Sequence, residues 1–194
     1  MADAAVKAVA AARALKLEGR GQTTRSVSIQ PAKPAKRISL RAPEESVGSL
    51  SRALKVPLPM TPKSASFAKG GDFGGKGGRA ALWLGPDEWL VIDDAGGDPL
   101  ADCAKAKGLH SAVDVSHRNV AILFSGSAAE DVISAGCPQD LSLEAFPVGA
   151  ASRTVLGKIE IVLLRTDESA FRVECWRSFS DYCFAFLLEA ARGF

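Results

Sequence analysis

The stretch LGPDEWLVI, residues 84–92, sets two adjacent carboxylates, Asp87 and Glu88, beside a tryptophan in an otherwise apolar run. Paired carboxylates can do general acid–base work, one holding a proton while the other is ionised. Three further features could carry chemistry. GGDFGGKGGR (70–79) spaces Gly70 and Gly75-Lys76 much as a phosphate-binding loop does. DVSHR (114–118) gathers Asp114, Ser116 and His117, the residue types of a hydrolase triad. Four cysteines (Cys103, Cys137, Cys175, Cys183) and two histidines (His110, His117) are potential metal ligands.

Each feature has to be placed on an element before it can act. Gly85-Pro86-Asp87-Glu88 reads as a tight turn, with proline where a type I turn favours it and acidic residues at home in water. Trp89 then starts the returning strand and is expected in the core. In the glycine-rich stretch Gly77 stands where a magnesium-binding Ser or Thr would follow the lysine, and a strand comes next. Without a helix N-terminus no array of amides faces a phosphate. Its DFG has no other kinase signature around it, so an inter-strand loop is the reading. β-Branched neighbours predict a strand through DVSHR, where alternation turns Ser116 and His117 to opposite faces. Asp114, Ser116 and Arg118 would then share one face, suited to hydrogen bonding with a neighbouring strand or subunit. The cysteines form no C-x-x-C pair and have apolar neighbours, which predicts buried thiols. No catalytic, cofactor-binding or metal-binding residue is assigned.

The positioning elements occur twice. RISLR leads into APEESVGSLSRALKV, where Pro43 suits a first helical turn and Val47, Leu50 and Leu54 mark one face. NVAILFSG leads into SAAEDVISAGCP, with Ser127 and Glu130 as a capping box and Gly136 and Pro138 as the stop. Hairpins follow: GRAALWL turns at GPDE into EWLVID, and GKIEIVLLR turns at TDES into AFRVECW. Each copy closes with a helix. The first is DPLADCAKAKG, with Asp98 as cap, Pro99 in the first turn and Gly108 as stop. The second is SFSDYCFAFLLEAARG, with Ser178 and Asp181 as a capping box and Gly193 as stop. Asp87-Glu88 and Asp167-Glu168 thus fall in corresponding turns. The expected fold is α+β, two related strand–helix–hairpin–helix halves with antiparallel sheet.

The formal net charge of +2 is unevenly spread over the 194 residues. Residues 1–37 carry eight Lys/Arg against Asp3 and Glu18, which leaves an acidic body. The basic segment has no aromatic residue on which a base could stack, so nucleic acid is not the expected partner. It reads instead as a solvated or partner-docking arm. Residues 1–36 are taken as a tail, 37–110 as a first half and 111–194 as a second, the halves forming one unit. The opening MADAAVKAVAAARALKLEGRG has too short an uncharged run for a secretory leader; its basic, alanine-rich character is weakly like a transit peptide, against which Asp3 and Glu18 argue. No stretch reaches the roughly 18 apolar residues of a membrane span. A soluble, cytoplasmic protein is expected.

Over residues 37–192 the chain resembles the gamma subunit of heterotetrameric sarcosine oxidase. DVSHR, GCPQDL, ASRT and RSFSDY carry the likeness in the second half, and LWLGPDEWLV in the first. The resemblance implies a fold like the folate-binding part of glycine-cleavage aminomethyltransferases. It implies partners: an alpha subunit with dinucleotide and tetrahydrofolate sites, a beta subunit with covalent FMN that oxidises sarcosine, and a zinc-binding delta subunit. FAD, FMN, NAD, zinc and tetrahydrofolate are accordingly expected on other subunits and none on this one, which would support assembly against alpha. The rival reading is a stand-alone folate-binding one-carbon protein. Pterin recognition needs a carboxylate inside an apolar pocket, and Asp114, Asp140 and Glu174 are the candidates.

Overall fold

A computed structural model describes Leu17, residues 20–69 and residues 78–194. Calls on residues 1–16 and on the glycine-rich stretch up to Gly77 lie outside the described residues.

Alternating apolar residues and turn signals yield the elements in the expected order. β1 (Gln22–Thr23) and β2 (Ser28–Pro31) precede β3 (Lys36–Arg41), α1 (Glu44–Leu54), β4 (Ala65–Phe67), the β5 (Arg79–Gly85)–β6 (Glu88–Asp93) hairpin and α2 (Pro99–Cys103). The series then repeats as β7 (Ser111–Asp114), β8 (Asn119–Ser125), α3 (Ala129–Ser134), β9 (Ala151–Leu156), the β10 (Ile159–Asp167)–β11 (Ala170–Trp176) hairpin and α4 (Ser180–Ala190). Two antiparallel sheets result, in the orders β4-β5-β6-β3-β7 and β1-β2-β8-β11-β10-β9. The fold is α+β with two related halves, as the sequence predicts.

Apolar side chains on both faces of each sheet dictate four layers. Leu50 and Leu54 of α1 pack with Ile38, Leu40, Trp89 and Val91 outside the first sheet. Val132, Cys183, Phe184 and Leu187 pack with Phe124, Phe171 and Val173 outside the second. Leu82, Leu90 and Ile92 meet Ala151, Val162 and Leu164 between the sheets. The order is helix, sheet, sheet, helix, and each interior surface is sealed by hydrophobic burial.

The halves exchange their first strands. β2 leads into β3 yet pairs with β8, Ser28 opposite Ser125 and Pro31 opposite Ile122. β7 leads into β8 yet pairs with β3, Ser111 opposite Arg41 and Asp114 opposite Ile38. On the far side of the sandwich, Ala65 N donates to Gly149 O at 3.0 Å and Ala151 N to Lys63 O at 3.3 Å. Both edges are thus tied by reciprocal contacts, as an internal two-fold relation requires.

Several local expectations change. Residues 22–31, read as part of a solvated arm, supply β1 and β2, with Val27 and Ile29 in the core of the second half. Gly126 permits this approach: at φ +132° it brings Ser26 O to 2.1 Å from where a Cβ would sit. The strand predicted through 114–118 ends at Asp114, and residues 116–118 form a turn. Neither capping box forms. Ala128 precedes α3 and Phe179 precedes α4, both without a side-chain cap, because Glu130 binds Arg165 and Asp181 binds Arg20. Asp98 does cap α2, accepting from the amides of Leu100 and Ala101, but that helix stops at Cys103, well before Gly108.

Candidate functional site

The hairpin tip settles the role of the first carboxylate pair. Asp87 lies in the exposed turn, 3.5 Å from Arg41. Glu88 opens β6 facing the other sheet, where it accepts from Arg41 Nη2 at 2.8 Å and from Arg153 Nη2 at 2.5 Å. Both Glu88 oxygens are held by guanidinium groups of β3 and β9. The pair is a turn and a knot in a cross-sheet ion network. Trp89 is fully buried and donates its indole N–H to Pro59 O at 2.7 Å, as an indole in a core must.

DVSHR does not assemble a triad. Asp114 Oδ1 accepts from Ser116 N at 2.8 Å, closing an Asx turn. Burial opposes the Asp114 charge, but the bonds from Ser116, with Lys36 and His117 nearby, outweigh it and hold the carboxyl below its ordinary value. Ser116 Oγ accepts from Arg37 N at 2.8 Å and lies 3.3 Å from Arg37 O. The seryl oxygen therefore fastens the turn to β3, the neighbouring-strand role its sequence position predicts. His110 Nδ1 lies 3.0 Å from Gly108 O. All four cysteines are buried free thiols. Burial pushes the Cys103 thiol up to about 11, and a hydrogen bond with Cys183, then burial, raises that of Cys175. A nucleophilic thiol needs the opposite shift.

The three proposed pterin carboxylates are scattered. Asp114 ends β7. Asp140 is exposed, its carboxylate accepting from Ser142 N at 2.9 Å. Glu174 alone is interior, on the inner face of β11. It accepts from Arg37 Nε at 2.7 Å and Nη2 at 3.1 Å, and from Arg172 Nε at 2.8 Å. Arg37, Arg172 and Glu174 are each at most 2% exposed. Burial disfavours the Glu174 charge, yet the two guanidinium groups more than offset it and keep the pKa below 4.5. Both oxygens are engaged, so Glu174 offers no free acceptor pair to a pterin. The sequence reading missed Arg37 and Arg172. In KRISLR and AFRVECW the charged residues alternate with apolar ones, the pattern of a sheet with one wet face.

Where the sheets open to solvent, a narrow cleft is lined by Ser39, Glu88, Arg118, Arg153, Glu174 and Trp176, among others. At its rim the DVSHR and RSFSDY segments meet. Arg118 O accepts from Arg177 N at 2.7 Å, and the Arg118 guanidinium sits 5.6 Å from the Trp176 ring centroid. Trp176 stacks on Phe179 at 6.0 Å, and these two rings are 43% and 41% exposed. Charged groups locked in structural pairs next to exposed aromatics describe a contact surface better than a reaction centre. Among the described residues no group of three or more His, Cys, Asp or Glu could hold a metal ion. No described helix is long and apolar enough to cross a membrane.

The pattern of the family described as "Sarcosine oxidase, gamma subunit family" matches residues 72–193. Curated proteins named sarcosine oxidase subunit gamma, from Corynebacterium sp. (strain P-1) and from Arthrobacter sp., are each 31% identical over 178 residues, covering 90% of this chain and 84% of theirs. Among solved structures, a chain of the heterotetrameric sarcosine oxidase from Corynebacterium sp. U-96 in complex with pyrrole 2-carboxylate aligns with a TM-score of 0.80 at 29% identity. That alignment covers 95% of this chain and 94% of the other. The glycine cleavage system aminomethyltransferase T from Bartonella henselae shares the fold at TM-score 0.63 and 14% identity, over 88% of this chain and 47% of its own.

Proposed function

This chain belongs to the sarcosine oxidase, gamma subunit family, and from that premise we propose that it is the gamma subunit of a heterotetrameric sarcosine oxidase. In this reading it contributes by contact. It docks on the alpha subunit, with beta and delta completing the complex, and supports assembly and stability while sarcosine is oxidatively demethylated to glycine elsewhere. FAD, FMN, NAD, zinc and tetrahydrofolate belong to the other subunits. The observation that carries the proposal is the end-to-end correspondence with a chain of the heterotetrameric enzyme, 95% of one chain against 94% of the other. The geometry of the described carboxylates supports it, since the sequence candidates for acid–base or pterin chemistry are engaged in turns or ion pairs.

Reconstituting the oxidase with and without this chain tests the proposal. With the chain present, the complex is expected to form in higher yield and to resist heating longer, with unchanged substrate preference. Equal stability and activity in both preparations would refute it. Titration of the isolated chain with tetrahydrofolate separates the rival: saturable micromolar binding would favour a folate-binding role, whose sole support is the shared fold.

A further inference from the structure

We infer that the outer edge of β7 is a docking edge for an acidic, extended segment of a partner subunit of the oxidase; this rests on the assembly reading above. The internal two-fold relation shows what such an edge accepts. β2 and β7 are equivalent strands, each lent to the opposite sheet. The outer side of β2 is covered by β1, with Gln22 opposite Ile29 and Thr23 opposite Ser28. β7 ends its sheet, and among the described residues no strand lies beyond it. The remaining edges are managed: β4 and β9 are tied to one another through residues 63–65 and 149–151, and β1 is only two residues long.

The free edge is ready for pairing. Val115 N donates to Arg37 O at 2.9 Å, which sets the alternation of the β3–β7 ladder. Val113 and Ser111 then exchange bonds with β3, and the N–H and C=O groups of Ala112 and Asp114 point outward. In the other half the residue matching Asp114 is Pro31, which has no N–H to offer. Apolar surface lies alongside: Val113 is 55% exposed and Leu109 77%. The charge of the surroundings selects the occupant. With Lys105 paired to Asp102, Lys107 and Arg118 stand against Asp114 alone over residues 106–118, and the Asp114 carboxylate is already occupied by Ser116. An extended segment adding a strand here gains main-chain hydrogen bonds from the edge, apolar contact from Val113 and Leu109, and orientation from the cations.

Hydrogen exchange on the isolated chain and on the assembled oxidase tests the inference directly. Amides of residues 110–115 are expected to exchange at least tenfold more slowly in the complex. Ala112→Pro removes an outward N–H and leaves the β3 bonds in place; it should weaken assembly at least tenfold. Because Ala112 packs against α2, Val113→Glu and Val113→Lys, at an exposed side chain, serve as variants that do not disturb the core. Glu should weaken assembly at least tenfold and Lys less than threefold, with the Glu loss reduced in high salt. Equal losses for Glu and Lys would overturn the acidic occupant. A complex in which residues 110–115 exchange as in the free chain would overturn the docking edge and leave the assembly reading intact. Failure of the unmodified chain to join the oxidase would overturn both. Protection in the isolated chain, accompanied by a concentration-dependent dimer, would make the occupant a second copy and overturn the inference.

Discussion

The inner faces of β6 and β11 occupy equivalent places and are built from opposite chemistry. Both hairpins slip register at the same point, between Trp83 and Gly85 in one and between Arg165 and Asp167 in the other. Leu90 and Ile92 therefore correspond to Arg172 and Glu174. The first half fills the space between the sheets with hydrocarbon; the second places an ion pair there and completes it with Arg37 from the other sheet. The first half buries its own ion cluster on the helix side. Arg79 donates to Asp93 at 2.8 Å, to Asp102 at 2.8 Å and to Leu54 O at 2.7 Å, tying β5 to both helices that cover it. Arg165 does comparable work in the second half, bonding Leu141 O, Glu168 O and Glu130. The two halves share an apolar frame, while the buried charges form staples particular to each half. A buried ion pair is costly to desolvate, so its value lies in fixing which surfaces meet.

The comparison can be broken most severely at the exchanged strands. Removing residues 1–36 takes away Leu17, Val27 and Ile29, all 2% exposed or less. At about 1.5–3 kcal/mol for each buried side chain, the second half is expected to lose roughly 5 kcal/mol or to fail to fold, as read by urea unfolding. A truncated chain with an unchanged midpoint would show that β2 is dispensable. This differs from the sequence reading of residues 1–36 as a tail, a solvated or partner-docking arm outside the body.

Next in size is the buried triad. Glu174→Ala removes the carboxylate that two buried guanidinium groups share and should cost about 3–5 kcal/mol. Copying the first half by Arg172→Leu and Glu174→Ile, together with Arg37→Met, should recover most of that loss. No recovery would mean that the triad contributes more than sheet matching.

The triad also sets an acid limb. The folded pKa of Glu174 lies below 4.5, so its stabilisation is present above that value and is lost as the pH falls through the depressed one. Asp102 adds to the same limb, held below 3.8 by Lys105 and Arg79. Stability measured against pH should fall below about 4.5 in the natural chain, and less steeply in the triple variant. Identical slopes would remove Glu174 from the acid response.

The smallest effect belongs to the rim. Glu88→Gln loosens pairs with Arg41 and Arg153 that are 57% and 37% exposed, and should cost under about 1 kcal/mol, less in high salt. A loss as large as that at Glu174 would show that the rim is as dry as the centre.

Local chemistry made much of this protein legible from sequence. The Gly85-Pro86 turn, the Asp98 cap with Pro99, the Leu50–Leu54 helix face and the burial of Trp89 each depend on residues a few positions apart. The duplication was legible for the same reason, because each copy repeats its own turn and periodicity signals. The exchange of β2 and β7 was not, since either strand satisfies the same period-two pattern in either sheet and only the assembled sandwich selects its neighbour. Ser127 and Ser178 carry capping signals, but Glu130 and Asp181, their expected reciprocal partners, went to arginines that tertiary packing brought near. Arg37 and Arg172 carry the pattern of a wet strand face because alternation reports two faces and not what covers them, and Glu174 was legible only as a candidate pocket carboxylate, without the arginines that engage it. The sequence by itself determined the units and their turns. The stacking of one sheet on another decided which charged face was dry, because a solvated face and a face covered by a second sheet share one alternating pattern.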